Sequence, residues 1–167
     1  TQICDQRLKD KLWDQAIEQA NIALEKNPKH RGAMMCRALV FINKKEYANA
    51  TKELTVLIEF LNKTLQDDDL TGKGTLAAAY ANRGIIKDRK EQYEEALKDY
   101  IKALEVDHEA VAGPGLGHKI IYMINKPSSV RDRAQYIHEQ LQLPPEKRLL
   151  KLPEADEEQR MHKPGKL

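Results

Sequence analysis

The sequence is poor in aromatic residues, in cysteine and in long apolar runs. Aromatic side chains make up 5% of the 167 residues, and the two cysteines, Cys4 and Cys36, are too few for a disulfide framework. No apolar run approaches the roughly 18 residues that a membrane-spanning helix needs. The formal net charge is +2, from 28 basic and 26 acidic residues. Such a balance is too even to indicate a nucleic-acid or membrane-surface binder.

The residue types that are abundant favour helices. Ala, Leu, Glu and Lys are frequent, and all four have high or neutral helix propensity. The length fits one domain or a run of small repeats. The chain begins with Thr1 and shows no secretory signal. We therefore expect any targeting signal to lie upstream of Thr1, and the compartment stays open, with the cytoplasm as the default.

A pattern of aromatic, small and apolar residues recurs with a period of 34 residues. Residues 13–17 (WDQAI) return as 47–51 (YANAT), and again as 93–97 (YEEAL) after a 34-residue period and a 12-residue insertion. Each unit shows the spacing of two amphipathic helices joined by a tight turn, and in the third unit these helices are predicted over 77–90 and 93–106. One helix pair cannot bury its apolar face alone, so the pairs must stack.

The third unit resembles a tetratricopeptide repeat. The residues at the signature positions of that family are Tyr80, Gly84, Tyr93, Ala96, Tyr100 and Ala103. Small residues at Gly84 and Ala96 are expected to let the paired helices approach closely. The second unit keeps Ala38, Tyr47 and Ala50, whereas the first is cut short at its start. The resemblance implies an all-α fold of helix-turn-helix repeats stacked in a right-handed superhelix.

We expect a repeat domain over 1–143 followed by an extended tail over 144–167. Its repeats are predicted at 1–30, 31–64 and 77–110, with a degenerate fourth at 111–143 and an insertion at 65–76. In the fourth, Ser128 or Ser129 is expected to cap a helix whose apolar stripe is Val130, Ala134, Ile137 and Leu141. A shortened helix over 116–125 would precede it, and an unrelated helical cap is the alternative.

The tail is interrupted by proline and still contains apolar residues. Four prolines, at 144, 145, 153 and 164, exclude a continuous helix. Leu149, Leu150, Leu152 and Met161 are side chains that a merely disordered tail would not need. The tail is therefore a candidate to pack onto the repeats.

No catalytic residue, metal site or cofactor is predicted. The glycines at 113, 115 and 117 lack the order of a phosphate-binding loop. Asp67, Asp69 and Gly72 imitate the start of a calcium loop, but Ala78 occupies the place of its bidentate glutamate. The five histidines are scattered, and none is paired at metal-ligand spacing. We interpret the chain as a protein without enzyme activity.

Two clusters allow both a structural and a functional interpretation. Cys4 and Cys36 fall on the first helices of adjacent repeats, where they are either buried apolar residues or a redox pair. The second cluster consists of four cations on one helix, Arg83, Lys87, Arg89 and Lys90. A solvated face is favoured over a nucleic-acid surface, because Asp88 interrupts the cations and no aromatic residue suited to base stacking is near.

In the family that these repeats resemble, the first helices line a concave groove that binds extended peptides or helices. The groove residues predicted to contact a partner are Met35, Leu39, Ile42, Asn43, Asn82, Ile85 and Arg89. The first helix of the second repeat is apolar nearly all round, so it is either sandwiched between repeats or covered by a peptide. Some members of this family hold the C-terminal carboxylate of heat-shock chaperones with a clamp of Lys, Asn and Arg side chains. Capture of such a carboxylate is not expected here, since Asn82 alone matches that clamp.

The predicted function is a scaffold or adaptor that binds a partner peptide or helix in this apolar groove, with protein rather than nucleic acid as the partner. The alternative is a structural subunit of a larger assembly. In that case its own tail fills the groove, and the convex face or the 65–76 loop contacts the assembly.

Overall fold

The computed structural model describes residues 12–107, residue 111 and residues 129–152. Within these ranges the chain is all-α and has no strand. Its helices are α1 (Trp13–Lys26), α2 (Arg31–Asn43), α3 (Tyr47–Thr64), α4 (Leu70–Arg89), α5 (Tyr93–Asp107), α6 (Val130–Leu141) and a 3-10 turn (Pro145–Lys147). Each helix packs against the next, and α2 also contacts α4. The expected helices at the start of the chain and over 116–125 lie outside the described residues.

Among the described helices, three begin at a residue whose side chain accepts a hydrogen bond from the first turn. The acceptors are Nδ1 of His30 for α2, at 3.2 Å from the Ala33 nitrogen, and Oδ1 of Asp69 for α4, at 2.7 Å from the Gly72 nitrogen. Oγ of Ser129 lies 3.1 Å from the Asp132 nitrogen at the start of α6. Of the two serines proposed to cap this helix, Ser129 is therefore the cap.

The segment at 65–76 is less of a loop than its sequence suggests. Helix α4 begins at Leu70, seven residues before the predicted start at Ala77, and residues 65–69 alone join α3 to α4. Asp69 caps the longer helix and is also paired with Arg31 across the joint. Glycines at 72 and 74 weaken the helical signal of this stretch, whereas capping and burial of Leu76 stabilise it. Asp69 is therefore a helix cap.

The close approach of α4 and α5 depends on Gly84. A Cβ atom at this position would lie 2.7 Å from the ring of Tyr100 and 3.3 Å from the carbonyl oxygen of Ala96. Both Ala96 and Tyr100 are fully buried. The prediction that small residues let these two helices pack closely is confirmed.

The turns inside the second and third repeats are built in the same way. Lys45 and Glu91, at equivalent positions, have φ angles of 60° and 62°. The next amide in each turn donates back to the preceding helix, from Glu46 to the Phe41 carbonyl at 2.8 Å and from Gln92 to the Lys87 carbonyl at 2.9 Å. The repeat in sequence is therefore also a repeat in backbone geometry.

Helix α2 lies between its neighbours and is covered on two sides. Met35 and Leu39 belong to a core cluster with side chains of α3 and α4. Val40 and Cys36 pack with Ala16 and other residues of α1. Cys36 is disulfide-bonded, and the other cysteine of the chain is outside the described residues. The helix is apolar all round because it contributes to two cores at once.

Candidate functional site

The predicted groove lies where α2 and α4 contact each other, and its apolar residues are buried there. Met35, Leu39 and Ile42 are at most 3% exposed and pack in one cluster with the inner side chains of α3. Ile85 is 2% exposed and packs in a second cluster with residues of α5 and α6. These four side chains hold the helices together, and their contact with a partner stays a prediction.

The polar groove residues differ in how far they reach the surface. Nδ2 of Asn82 donates to the Ala78 carbonyl at 2.8 Å, and the residue is fully buried. Nδ2 of Asn43 makes the same bond to the Leu39 carbonyl, one helical turn earlier, at 2.8 Å. Asn43 and Arg89 are partly exposed, at the C-terminal ends of α2 and α4. Of the seven predicted residues, these two are therefore the ones that the surface presents.

Sequence reasoning missed an arginine bridge that occurs in two successive repeats. Arg37 on α2 donates through Nη2 to Glu53 of α3 at 2.5 Å, and through Nη1 to Asn21 of α1 at 2.9 Å. In the next repeat, Arg83 takes the place of Arg37. Each arginine binds the second helix of its own repeat and that of the preceding repeat, so the bridge fixes the stacking of neighbours. The period of 34 residues plus the insertion could have identified it.

The basic cluster on α4 is largely engaged in packing. Nε and Nη2 of Arg83 each lie 2.8 Å from a carboxylate oxygen of Asp99, and Nζ of Lys87 lies 2.7 Å from the same group. Hydrogen bonding to the buried Asp99 carboxylate raises the pKa of Arg83 above its ordinary value. Arg83 also lies over the Tyr80 ring, 5.5 Å from its centre. Two of the four cations therefore serve the α4–α5 contact.

A buried ion pair joins the end of α4 to α6. The guanidinium of Arg133 donates to both carboxylate oxygens of Asp88, at 2.7 and 2.6 Å, and the Tyr100 hydroxyl donates to the same carboxylate at 3.0 Å. Burial acts to lower the pKa of Arg133, but hydrogen bonding and attraction from Asp88 outweigh it, and the pKa is raised. A signal was present in the sequence, since Arg133 falls inside the apolar stripe of α6.

Past its 3-10 turn, the tail runs back along α6. Arg133 donates to the Leu150 carbonyl at 2.8 Å, and the Tyr136 hydroxyl donates to the Leu149 carbonyl at 2.6 Å. The Leu149 amide in turn donates to Oε1 of Gln140 at 2.7 Å. We call residues 148–152 the tail segment. Hydrogen bonds and ion pairs join it to α6, to Leu143 just after α6, and to the α4–α5 turn. Residues 153–167 are outside the described part of the chain.

The described residues contain no group of three or more His, Cys, Asp and Glu side chains that could hold a metal ion. In the same ranges, no helix has the length and apolar character to cross a membrane. The apparent calcium-loop start at residues 67–72 is explained by the cap of α4.

The comparisons with known proteins agree with this architecture. Residues 77–109 match the family model described as tetratricopeptide repeat. A solved structure described as the first TPR of Spaghetti (RPAP3), bound to the HSP90 peptide SRMEEVD, is similar at a TM-score of 0.57 and 18% identity. The match covers 85% of this chain and 90% of that one. No curated protein matches significantly in sequence. The predicted repeat type and the TPR-like helical fold are confirmed.

Proposed function

We propose that this chain, a tetratricopeptide-repeat protein by its residues 77–109 and its fold, is a non-catalytic adaptor that binds a segment of a partner protein. The observation that carries the proposal is the direct packing of α2 against α4, which sets the first helices of two successive repeats side by side. A binding face assembled from several repeats is how stacked helix pairs provide an extended recognition surface.

We assign different roles to the seven groove residues. Asn43 and Arg89 contact the partner, since both are partly exposed and one carries a charge that a partner carboxylate would match. Met35, Leu39, Ile42, Asn82 and Ile85 support the face from below, because they are buried against neighbouring helices. The partner is a protein segment rather than nucleic acid, since much of the basic cluster is engaged with Asp99.

The solved relative binds an HSP90 peptide, which supports an extended peptide as the type of ligand. We do not propose that this chain captures a terminal carboxylate. Asn82, the residue that matches the clamp, is fully buried and bonded to its own helix. Its counterpart in the second repeat is Cys36, which is also buried and offers no cation.

The experiment is affinity purification from cell extract with quantitative mass spectrometry. Asn43→Lys and Arg89→Glu are combined in one variant, and Lys52→Glu, which changes an exposed cation on α3, is the matched control. We expect the amount of each partner protein retained by the double variant to be at least fivefold lower than the amount retained by the wild type and by the control. Retention of the same proteins at the same level by all three would refute the groove proposal.

Substitution of Leu39 and Ile85 by Asp would not test this proposal. Both side chains are almost completely buried, so introducing a carboxylate there would leave it without solvation and would unfold the helices. The two surface positions avoid this ambiguity, and circular dichroism of each variant checks that the fold is retained.

The alternative function, a structural subunit of a larger assembly, is favoured by the apolar residues on the second helices. Ile22 and Val56 stand one 34-residue period apart on α1 and α3, and both are more than a third exposed, as is Ile101 on α5. Leu70, beside the 65–69 loop, is 77% exposed. If Ile22→Glu with Val56→Glu abolishes the capture that Asn43→Lys with Arg89→Glu leaves intact, this alternative is supported over the groove.

A further inference from the structure

We propose that α6 carries a second peptide-binding site, which the tail segment occupies within the chain and which a partner protein can take over. The partner segment is extended and carries two adjacent apolar residues flanked by basic residues, as the tail segment does in Arg148-Leu149-Leu150-Lys151. This site is distinct from the face formed by α2 and α4.

The contacts of α6 with the tail segment are directed mainly at its backbone. Arg133 and Tyr136 donate to two consecutive carbonyl groups, and Gln140 accepts the amide hydrogen of Leu149. Such contacts bind any chain in the same extended conformation, and they leave selection to the side chains. The site is therefore suited to a foreign segment as well as to the resident one.

Three side-chain contacts define which segment fits. Nη2 of Arg148 donates to the carbonyl oxygen of Leu141, the last residue of α6, at 3.1 Å. Leu150 is partly buried and packs against the cluster formed by α4, α5 and α6. Nζ of Lys151 lies 2.6 Å from the Glu91 carboxylate, which stands in the turn between α4 and α5. The cluster that contacts Leu150, together with the Glu91 carboxylate, thus selects an apolar residue followed by a cation.

The receiving side is rigid, whereas the resident segment is held loosely. Arg133 is 4% exposed and is fixed by both oxygens of Asp88, so it is oriented before any peptide arrives. By contrast, Leu149 is 68% exposed, and the Lys151–Glu91 pair is open to solvent. Segments with few buried contacts open at low free-energy cost.

The test uses the full chain and a fluorescent peptide of residues 146–152 (EKRLLKL), with binding measured by anisotropy. Leu150→Asp releases the resident segment, and we expect this variant to bind the peptide at least tenfold more tightly than the wild type. Leu149→Asp is the matched control, since that side chain is exposed, and it should bind as the wild type does. Adding Tyr136→Phe to Leu150→Asp should weaken binding several-fold, whereas adding Arg89→Glu should leave it unchanged.

A second variant keeps the test decisive if Leu150→Asp fails to fold. Lys151→Glu removes an exposed contact and leaves the core intact, so it should bind the peptide a few-fold more tightly than the wild type. Absence of peptide binding in folded Leu150→Asp and Lys151→Glu proteins would overturn the proposal. A wild-type dimer in size-exclusion chromatography with light scattering, abolished by Leu150→Asp, would also overturn it, because the site would then serve a second copy.

Discussion

Replacing Gly84 by Ala tests whether α4 and α5 pack as closely as the structure indicates. The new Cβ would lie 2.7 Å from two carbon atoms of the Tyr100 ring, a separation that Cβ atoms do not tolerate. The ring is fully buried and its hydroxyl is bonded to Asp88, so it cannot swing into solvent. The substitution therefore strains the contact between α4 and α5. It also strains the buried pair of Asp88 and Arg133, because the Tyr100 hydroxyl is bonded to Asp88.

The expected magnitude is the balance of two opposing contributions. Overpacking a close contact costs about 1–3 kcal/mol, whereas Ala in place of Gly within a helix stabilises by about 1 kcal/mol. The same helix offers a control at Gly74, where an added Cβ would meet nothing closer than a carboxylate oxygen of Asp107 at 3.9 Å. Gly74→Ala should thus stabilise by about 0.5–1 kcal/mol, and Gly84→Ala should destabilise by up to about 2 kcal/mol.

The assay is urea unfolding, monitored by the circular dichroism of the helices. The free energies of unfolding of the wild type and the two variants are compared where their dependence on urea concentration is the same. A Gly84→Ala protein as stable as the Gly74→Ala protein would refute the reasoning. It would mean that the two helices lie farther apart than described, or that Tyr100 can move without cost.

Three further predictions concern the charged contacts and the turns. Asp88→Asn leaves the buried Arg133 charge uncompensated and should cost about 3–5 kcal/mol in urea unfolding, and Asp88→Asn combined with Arg133→Met should cost less than the sum of the single changes. Hydrogen bonds from Arg31 and from the Gly72 amide lower the pKa of Asp69 in the folded protein. The ionised Asp69 therefore contributes to stability at pH values above its ordinary pKa near 3.8, and this contribution is lost as the pH falls through the lower folded-state pKa. Asp69→Asn should flatten the acid side of a plot of melting temperature against pH. Lys45→Gly relieves a backbone with φ of 60° and should stabilise by about 0.5–1 kcal/mol, measured as a higher urea midpoint.

The fold was largely predictable because packing within repeats depends on residue size and spacing. Gly84 and Ala96 indicated the close contact of α4 and α5, and the stripe beginning at Val130 indicated α6. The predicted start of α4 at Ala77 was wrong, because the helix begins at Leu70. Capping by Asp69 and its pairing with Arg31 outweigh the low helix propensity of the two glycines in the first turns. Local propensity cannot register such contacts between distant residues.

The charged contacts were harder to predict because an ion pair depends on where two helices meet. Arg133 and Asp88 are 45 residues apart, and no periodic pattern links them. In the register expected for a fourth repeat, Arg133 stands where the third repeat has Asp99, so its charge is opposite to that of its counterpart. It cannot form the bridge of the earlier repeats, and it pairs with Asp88 instead.

The groove prediction included side chains that neighbouring helices bury. Met35, Leu39 and Ile42 are predicted to contact a partner, whereas in the structure they fill the space between α2, α3 and α4. The sequence pattern distinguishes an apolar side chain from a polar one, but it does not say whether a neighbouring helix or a ligand covers it.

Hydrogen exchange with mass spectrometry, with and without a partner captured by the wild-type chain, tests the proposed binding face most directly. We expect slower exchange of backbone amides in α2 and in the second half of α4, with the exposed sides of α3 and α5 unchanged. Slower exchange confined to α1, α3 and α5 would contradict it and would place the partner on the convex face.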